Sequence, residues 1–218
     1  MEFEVICTQD GSQSIIQHPA GVCYHNRFGA RTESEQVYLV NGLDFFANQN
    51  PGQTTIKIFE MGFGTGLNAL LAAQYGCIHE IRIEYHTCEL YPLPPEIYRQ
   101  LYRAESTLLD QLHDAPWDHA TIIHPNFSLT KYKKDLRQTK LPSSVDVVFY
   151  DAFDPVTQPD LWEYPVFKQL AQAAHSGSVL TTYSSKGSVR RNLEKAGWKV
   201  EKLRGPMGKW EVVRAQLL

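Results

Sequence analysis

The 218-residue chain has no CxxC pair, no long apolar run and no basic leader. Its four cysteines, Cys7, Cys23, Cys77 and Cys88, are scattered, and its eight histidines form no cluster, so neither a disulfide framework nor a metal centre is indicated. The longest apolar stretches, Ala69 to Ala73 and Val147 to Tyr150, fall far short of the about 20 residues that span a bilayer. Met1-Glu2-Phe3-Glu4 is acidic where a secretory leader would be basic. These absences point to a soluble, cytoplasmic protein. With 43% hydrophobic and 21% charged residues, the chain has enough apolar material for a core, and its length suits one domain better than two.

The net charge of −3 conceals an asymmetry. Between Lys186 and Arg214 nine basic residues face only Glu194, Glu201 and Glu211, which leaves +6 on this segment and −9 on the rest. A basic end on an acidic body suits a phosphate-facing surface; a solvated helix face plus edge-strand lysines would look the same.

Short β-rich runs alternate with helical stretches. Strands are expected at Ile56 to Glu60, Ile81 to Glu89, Ala120 to His124, Val145 to Tyr150 and Ser178 to Tyr183, and two more at Trp198 to Leu203 and Trp210 to Leu217. Helices are expected at Leu67 to Tyr75, Pro95 to Leu112, Trp162 to Ala174 and Val189 to Ala196. Val145 to Tyr150 is apolar enough to be covered on both faces. Repeated βα units of this kind predict an α/β, doubly wound, mainly parallel sheet with an antiparallel C-terminal strand. Residues 1–50 differ: two β-like runs flank Asp10-Gly11, and a short helix follows near Glu33 to Val40. We read 1–50 as a small β extension packed on a Rossmann-like core of 51–218, within a single domain.

The most informative segment is Glu60-Met61-Gly62-Phe63-Gly64-Thr65-Gly66-Leu67-Asn68. A strand runs into three alternating glycines, and a helix starts at once. Glycine tolerates positive φ and lets a ligand approach the backbone, while the helix start offers free N–H groups. The spacing is neither G-x-G-x-x-G nor a P-loop. Glu89, at the end of the next expected strand and 23 residues past Gly66, is placed to accept hydrogen bonds from ribose hydroxyls. Asp151 follows the fourth strand, at the end where open α/β sheets bind ligands. Asp146, at the other end, reads as a turn or capping residue, and Asp154, before Pro155, reads as a turn residue.

The G-x-G-x-G turn resembles that of class I S-adenosylmethionine-dependent methyltransferases. Three further segments narrow the likeness: Tyr24-His-Asn-Arg-Phe-Gly29 with Glu33, Asp151-Ala-Phe-Asp-Pro with Gln158-Pro-Asp-Leu-Trp162, and Thr182-Tyr-Ser-Ser-Lys-Gly-Ser-Val-Arg190-Arg191 with Gly197-Trp198. Together they resemble the bacterial MnmC/MnmD-type tRNA wobble-uridine methyltransferases. That resemblance implies methyl transfer from S-adenosylmethionine to the amine of 5-aminomethyl(-2-thio)uridine in a tRNA anticodon. It implies cofactor contacts at Glu60, Gly62, Gly64, Gly66, Asn68, Glu89 and Asp151. Some relatives carry a fused flavin-dependent oxidase; at 218 residues a stand-alone methyltransferase is expected, with a separate enzyme supplying the aminomethyl substrate. Where relatives often place an acid after the third strand, this chain has Pro125-Asn126, so Asn126 is the expected adenine contact.

For the chemistry, Asp151, with Tyr183, is expected to orient the substrate amine and take its proton; a carboxylate that only holds the strand end is the competing reading. RNA contact is expected from Lys186, Arg190, Arg191 and Lys209, with Phe153, Trp162 or Tyr183 available for stacking on a flipped base. Adjacent Arg190 and Arg191 are not expected to face the same way on a helix. Two other functions remain compatible with the residues: a methyl- or aminopropyl-transferase for a small free amine, and a non-catalytic binding module.

Overall fold

The computed structural model describes residues 2–102 and 105–218. Its centre is an eight-stranded sheet in the order β10-β11-β9-β8-β4-β5-β7-β6. These strands are β4 (Thr55–Met61), β5 (Arg82–Cys88), β6 (Ala120–His124), β7 (Phe127–Tyr132), β8 (Val145–Tyr150), β9 (Ala174–Thr182), β10 (Trp198–Arg204) and β11 (Glu211–Leu217). Strands β7, β5, β4, β8 and β9 run parallel; β6, β11 and β10 pair antiparallel. Every residue of β8 is buried, as its apolar run requires of a central strand.

Among the described residues the α-helices are α1 (Ala30–Ser34), α2 (Phe45–Gln49), α3 (Leu67–Ile78), α4 (Pro95–Tyr98), α5 (Ser106–Asp114), α6 (Tyr164–Ala173) and α7 (Gly187–Lys195). A π-helical stretch, Glu35–Asp44, joins α1 to α2 in one continuous run. On one face α3 and this run pack with Phe149, Val179 and Val212. On the other, α6 and α7 bury Phe167, Leu170, Val189 and Leu193 against Phe59, Val148 and Leu180. Helix α3 is buried nearly all round, which its Leu-Asn-Ala-Leu-Leu-Ala-Ala composition permits.

A separate three-stranded antiparallel sheet, β1 (Glu2–Cys7), β2 (Gln13–His18) and β3 (Val22–Cys23), begins the chain. Its first hairpin turns at Asp10-Gly11, where Gly11 takes a φ of 82°.

Two expectations are corrected. Pro95 to Leu112 is not one helix: Tyr102 sits at φ 44°, and its N–H and hydroxyl donate to Gln13 of β2, which divides the segment into α4 and α5. The third parallel strand is β7, not Ala120 to His124. The latter is an exposed antiparallel edge strand, and the tight turn between them reverses the direction assigned from sequence. Asn126 therefore lies at the amino end of the parallel strands. There its amide reaches the Gly76 carbonyl near the end of α3, and its own carbonyl accepts from the Ile83 N–H.

Candidate active site

The parallel strands reverse their order of addition between β4 and β8, and the carboxyl ends at that point form the crevice where doubly wound sheets bind ligands. A cleft of about 390 Å³ opens there. The glycine turn forms its floor. Gly62, Gly64 and Gly66 have φ of 91°, 49° and 74°, conformations that L side chains rarely adopt. A Cβ on Gly62 would lie 2.9 Å from the Asp151 carbonyl oxygen, so the turn can sit against β8 only as glycine. Gly66 begins α3 and packs on Phe63, Leu109 and His113, so it shapes the turn without lining the cleft.

On one side of the turn, Glu89 accepts hydrogen bonds from the Gly64 N–H (3.2 Å) and the Tyr91 N–H (2.9 Å). Burial raises its pKa above the ordinary carboxylate value, against the pull of these donors. Glu89 lines the cleft. The third-strand contribution comes from Lys134, Asp135, Leu136 and Arg137, not from Asn126. Asp135 caps a short 3₁₀ turn by accepting from the Arg137 N–H and is paired with the Arg137 guanidinium.

On the other side stands Asp151. The Tyr38 hydroxyl donates to its Oδ1 at 2.6 Å and the Asn68 amide to its Oδ2 at 2.9 Å. Burial is the largest influence and pushes the Asp151 carboxyl up to about 7, although both donors favour the charged form. Glu60 is fully buried beneath the turn and does not line the cleft, which corrects its expected role as a direct contact. Burial and the nearby Asp151 charge push the Glu60 carboxyl up to about 8.

Tyr183 is displaced from its expected part. Its hydroxyl donates to the Ala152 carbonyl at 2.8 Å, and the phenol on Asp151 is Tyr38. Trp162 is core, with its indole N–H on the Phe153 carbonyl; Phe153 lines the cleft and meets Tyr24 edge-on at 5.1 Å. Asp154 is the turn residue expected, accepting from the Val156 N–H and the Thr157 hydroxyl. Of the basic residues, Lys186 lies 3.7 Å from Asp154, and Arg190 donates to the Ser185 carbonyl. Both arginine side chains turn back towards Gly187 at the start of α7, so adjacency does not force them apart. Lys209 is not a free cation: it is paired with buried Glu33 and sits 3.8 Å over the Tyr183 ring.

Four contributors, Tyr24, His25, Lys131 and Tyr38, were not among the expected site residues, although Tyr24 and His25 lie in a segment that carries the family likeness. Tyr24 and His25, from the strand-poor segment after β3, line the cleft against the turn, Tyr24 beside Gly64 and His25 beside Thr65. His25 contacts Ser14 (3.1 Å) and Thr65 (3.4 Å), and burial lowers its pKa to about 4, so it is neutral. Behind the turn, Lys131 is fully buried, donates to the His113 carbonyl and lies 4.5 Å from the Trp117 ring and 5.2 Å from that of Phe63. Only the phenol on Asp151, which comes from 113 residues away, had no local signal of any kind.

The arrangement suits S-adenosylmethionine. The cleft has a carboxylate for ribose at Glu89, a backbone turn open to close approach, and an acceptor in reserve: the buried Asn68 Oδ1 has no donor.

The comparisons agree. A family described as S-adenosyl-L-methionine-dependent methyltransferase matches residues 99–217. The chain is 33% identical over 205 residues to the tRNA 5-methylaminomethyl-2-thiouridine biosynthesis bifunctional protein MnmC of Pseudomonas putida, covering 83% of this chain and 30% of that protein. It is 30% identical over 213 residues to the protein of the same name from Nitrosospira multiformis, covering 90% and 34%. The chain thus spans about a third of the length of these curated relatives. Among solved structures it superposes on MNMC2 from Aquifex aeolicus with a TM-score of 0.79 at 26% identity, over 99% of this chain and 70% of that one. Spermidine synthase from Thermotoga maritima shares the fold, with a TM-score of 0.65 at 14% identity over 98% and 68%. With a family match over more than half its length, and with the fold and the cofactor cleft to go with it, the chain belongs to the S-adenosyl-L-methionine-dependent methyltransferases.

Proposed function

We propose that this protein methylates the exocyclic amine of 5-aminomethyl(-2-thio)uridine at the wobble position of tRNA, with a separate enzyme supplying the aminomethyl group. The observation that carries this reading is Asp151, a cleft-facing carboxyl held by Tyr38 and Asn68 and raised to about 7. The relatives named for tRNA 5-methylaminomethyl-2-thiouridine biosynthesis support the substrate.

When bound, S-adenosylmethionine supplies an electrophilic methyl group on a sulfonium. Glu89, Gly62, Gly64 and Asn68 would hold it, with Asp135 near its base. A primary alkylamine is a poor nucleophile at neutral pH because it is protonated, with a pKa near that of lysine, about 10.4. Asp151 takes that proton. An ordinary aspartate would be mismatched to the amine by more than about six pKa units, and a carboxyl at about 7 narrows the gap to about three. Tyr38 and Asn68 fix both carboxyl oxygens, so the residue meets the amine in one orientation. Alignment and exclusion of water by Tyr24, His25 and Phe153 add to this; proximity alone supplies about 7–11 kcal/mol in well-oriented systems.

The test incubates the protein with labelled S-adenosylmethionine and tRNA from a strain lacking this gene, followed by nucleoside mass analysis. The expected product is methylaminomethyluridine, lost in Glu89→Ala and Asp151→Ala. Label that enters free diamines but never tRNA would overturn the reading in favour of a small-amine transferase.

A further inference from the structure

The loop between β10 and β11 presents a tryptophan to solvent in a way that stability does not explain. Trp210 is 96% exposed, as are, in part, Met207 (69%) of the same loop and Phe28 (43%), against which Gly208 packs. The loop is nevertheless tightly held. The Gly205 N–H donates to the Trp210 carbonyl and the Lys209 N–H to the Pro206 carbonyl. The Asn26 amide donates to the Met207 carbonyl at 2.8 Å, and Gln36 to that of Arg204. Gly208 lies directly against the Phe28 ring, where no Cβ would fit. Lys209, paired with Glu33, anchors the loop on Tyr183.

This loop stands beside the cleft. Strand β11 pairs with the carboxyl end of β9 through Val213 and Thr182, so Trp210 precedes that pair by three residues and Lys186 follows it by four. Phe28 and Asn26 continue directly from the cleft wall at Tyr24 and His25. Exposed cations flank the loop: Arg204 ends β10, and Arg27 follows Asn26, whose amide holds Met207. Neither makes a side-chain ion pair among the described residues, whereas Glu211, across from Arg204, is paired with Lys202. An exposed indole on a held loop with unpaired arginines on its flanks is complementary to single-stranded nucleic acid, in which phosphates meet the cations and an unpaired base stacks on the ring.

We propose that Trp210, on the loop that Phe28 and Asn26 hold in place, is the stacking platform for an unpaired base next to the modified uridine, with Arg27 and Arg204 on the adjoining phosphates. This rests on the tRNA reading above and adds a residue and a contact to it.

The test compares wild type, Trp210→Ala and Trp210→Phe. In steady-state assays with tRNA, Trp210→Ala is expected to raise KM by about 5-fold to 150-fold, the range for losing one stacked base, while kcat and cofactor affinity hold. Trp210→Phe, which keeps a ring, is expected to recover most of the loss. Arg204→Ala is expected to weaken tRNA binding and reduce its salt slope by about one, whereas Trp210→Ala leaves the slope unchanged. An unchanged KM in Trp210→Ala, with wild type methylating tRNA, overturns the platform and leaves the function standing. A second measurement is independent of turnover. Indole fluorescence is titrated with an anticodon stem–loop RNA and with blunt duplex RNA. Quenching by the loop and not the duplex, absent in Trp210→Ala, supports the platform even if no methyl group is transferred. Equal response to both RNAs, or none, overturns it.

Discussion

Strand β8 has an aspartate at each end, and the two are treated in opposite ways. Asp146, near the amino end, accepts from the Lys57 backbone N–H at 2.7 Å and from His175 at 2.9 Å, tying β8 to β4 and β9. Asp151, just past the carboxyl end, meets only two side-chain donors, faces a cleft and is pushed up to about 7 by burial. Five residues apart, one carboxylate ties neighbouring strands together and the other stands in the cleft between a phenol and an amide. The donor set makes the difference: a backbone N–H and an imidazole secure Asp146, whereas the surroundings of Asp151 leave its charge poorly solvated and so chemically available.

The sharpest way to break that contrast is to neutralise each acid. Asp151→Asn keeps the shape and loses the base; kcat is expected to fall by about 10²-fold to 10⁴-fold, the usual worth of general base catalysis, with cofactor affinity within a few-fold of wild type by calorimetry. Near-normal turnover would mean that Asp151 only positions the strand end. Asp146→Ala is expected to do the reverse. Leaving a sheet N–H without its acceptor costs about 1–3 kcal/mol in urea unfolding, with kcat preserved where the protein is folded. An Asp146→Ala protein that keeps its stability and loses turnover would invert the comparison.

Tyr38→Phe sharpens it. The Tyr38 hydroxyl stabilises the charged form of Asp151, so its loss raises the carboxyl further above about 7. With the Asp151 carboxylate as the proposed base, activity falls as pH drops through that value. The acidic limb of the kcat–pH profile is therefore expected to move to higher pH in Tyr38→Phe, with a few-fold loss at pH 7 and near recovery above pH 8. A limb that does not move would separate Tyr38 from the proton.

Half of this site is legible from the sequence and half is not, for a physical reason. The glycine turn, Glu89 and Asp151 each lie at a strand end, and a βα pattern marks strand ends locally. The parallel sheet and its antiparallel C-terminal hairpin follow from the same pattern. Tyr38 reaches Asp151 from a π-helical run, whose irregular turn has no periodicity to read. Asn126 was misplaced because β6 and β7 are joined by only two residues; a tight hairpin there exchanges the two ends of the sheet, and the apolar alternation of Phe127–Tyr132 was the available signal. Lys209 carried a charge visible in sequence, but its partner Glu33 comes from 176 positions earlier in the chain, so its neutralisation was not visible.

The smallest effect expected separates the two ends of β8 by pH alone. Burial works against a charge on His175, but its hydrogen bond to Asp146 outweighs this, and its pKa lies above the ordinary 6.5. The folded state therefore holds that proton more tightly, so the stabilisation is complete below about 6.5 and is lost as pH rises through the raised value. The pair is half-exposed on the histidine side, so less than about 1 kcal/mol is at stake. Asp151 has the same sign in a lower window: a carboxyl raised from 3.8 to about 7 makes the folded state lose stability between those values as pH rises. Glu60, pushed up to about 8 by burial and the Asp151 charge, loses stability with the same sign across both windows, so the readout is the difference between each variant and wild type. In urea midpoints from pH 4 to pH 9, the difference made by Asp151→Asn is expected to change from pH 4 upwards, and that made by His175→Gln only above about 6.5. A His175→Gln difference that changed below pH 6 would tie both ends of β8 into one electrostatic network, and the division of labour along the strand would fail.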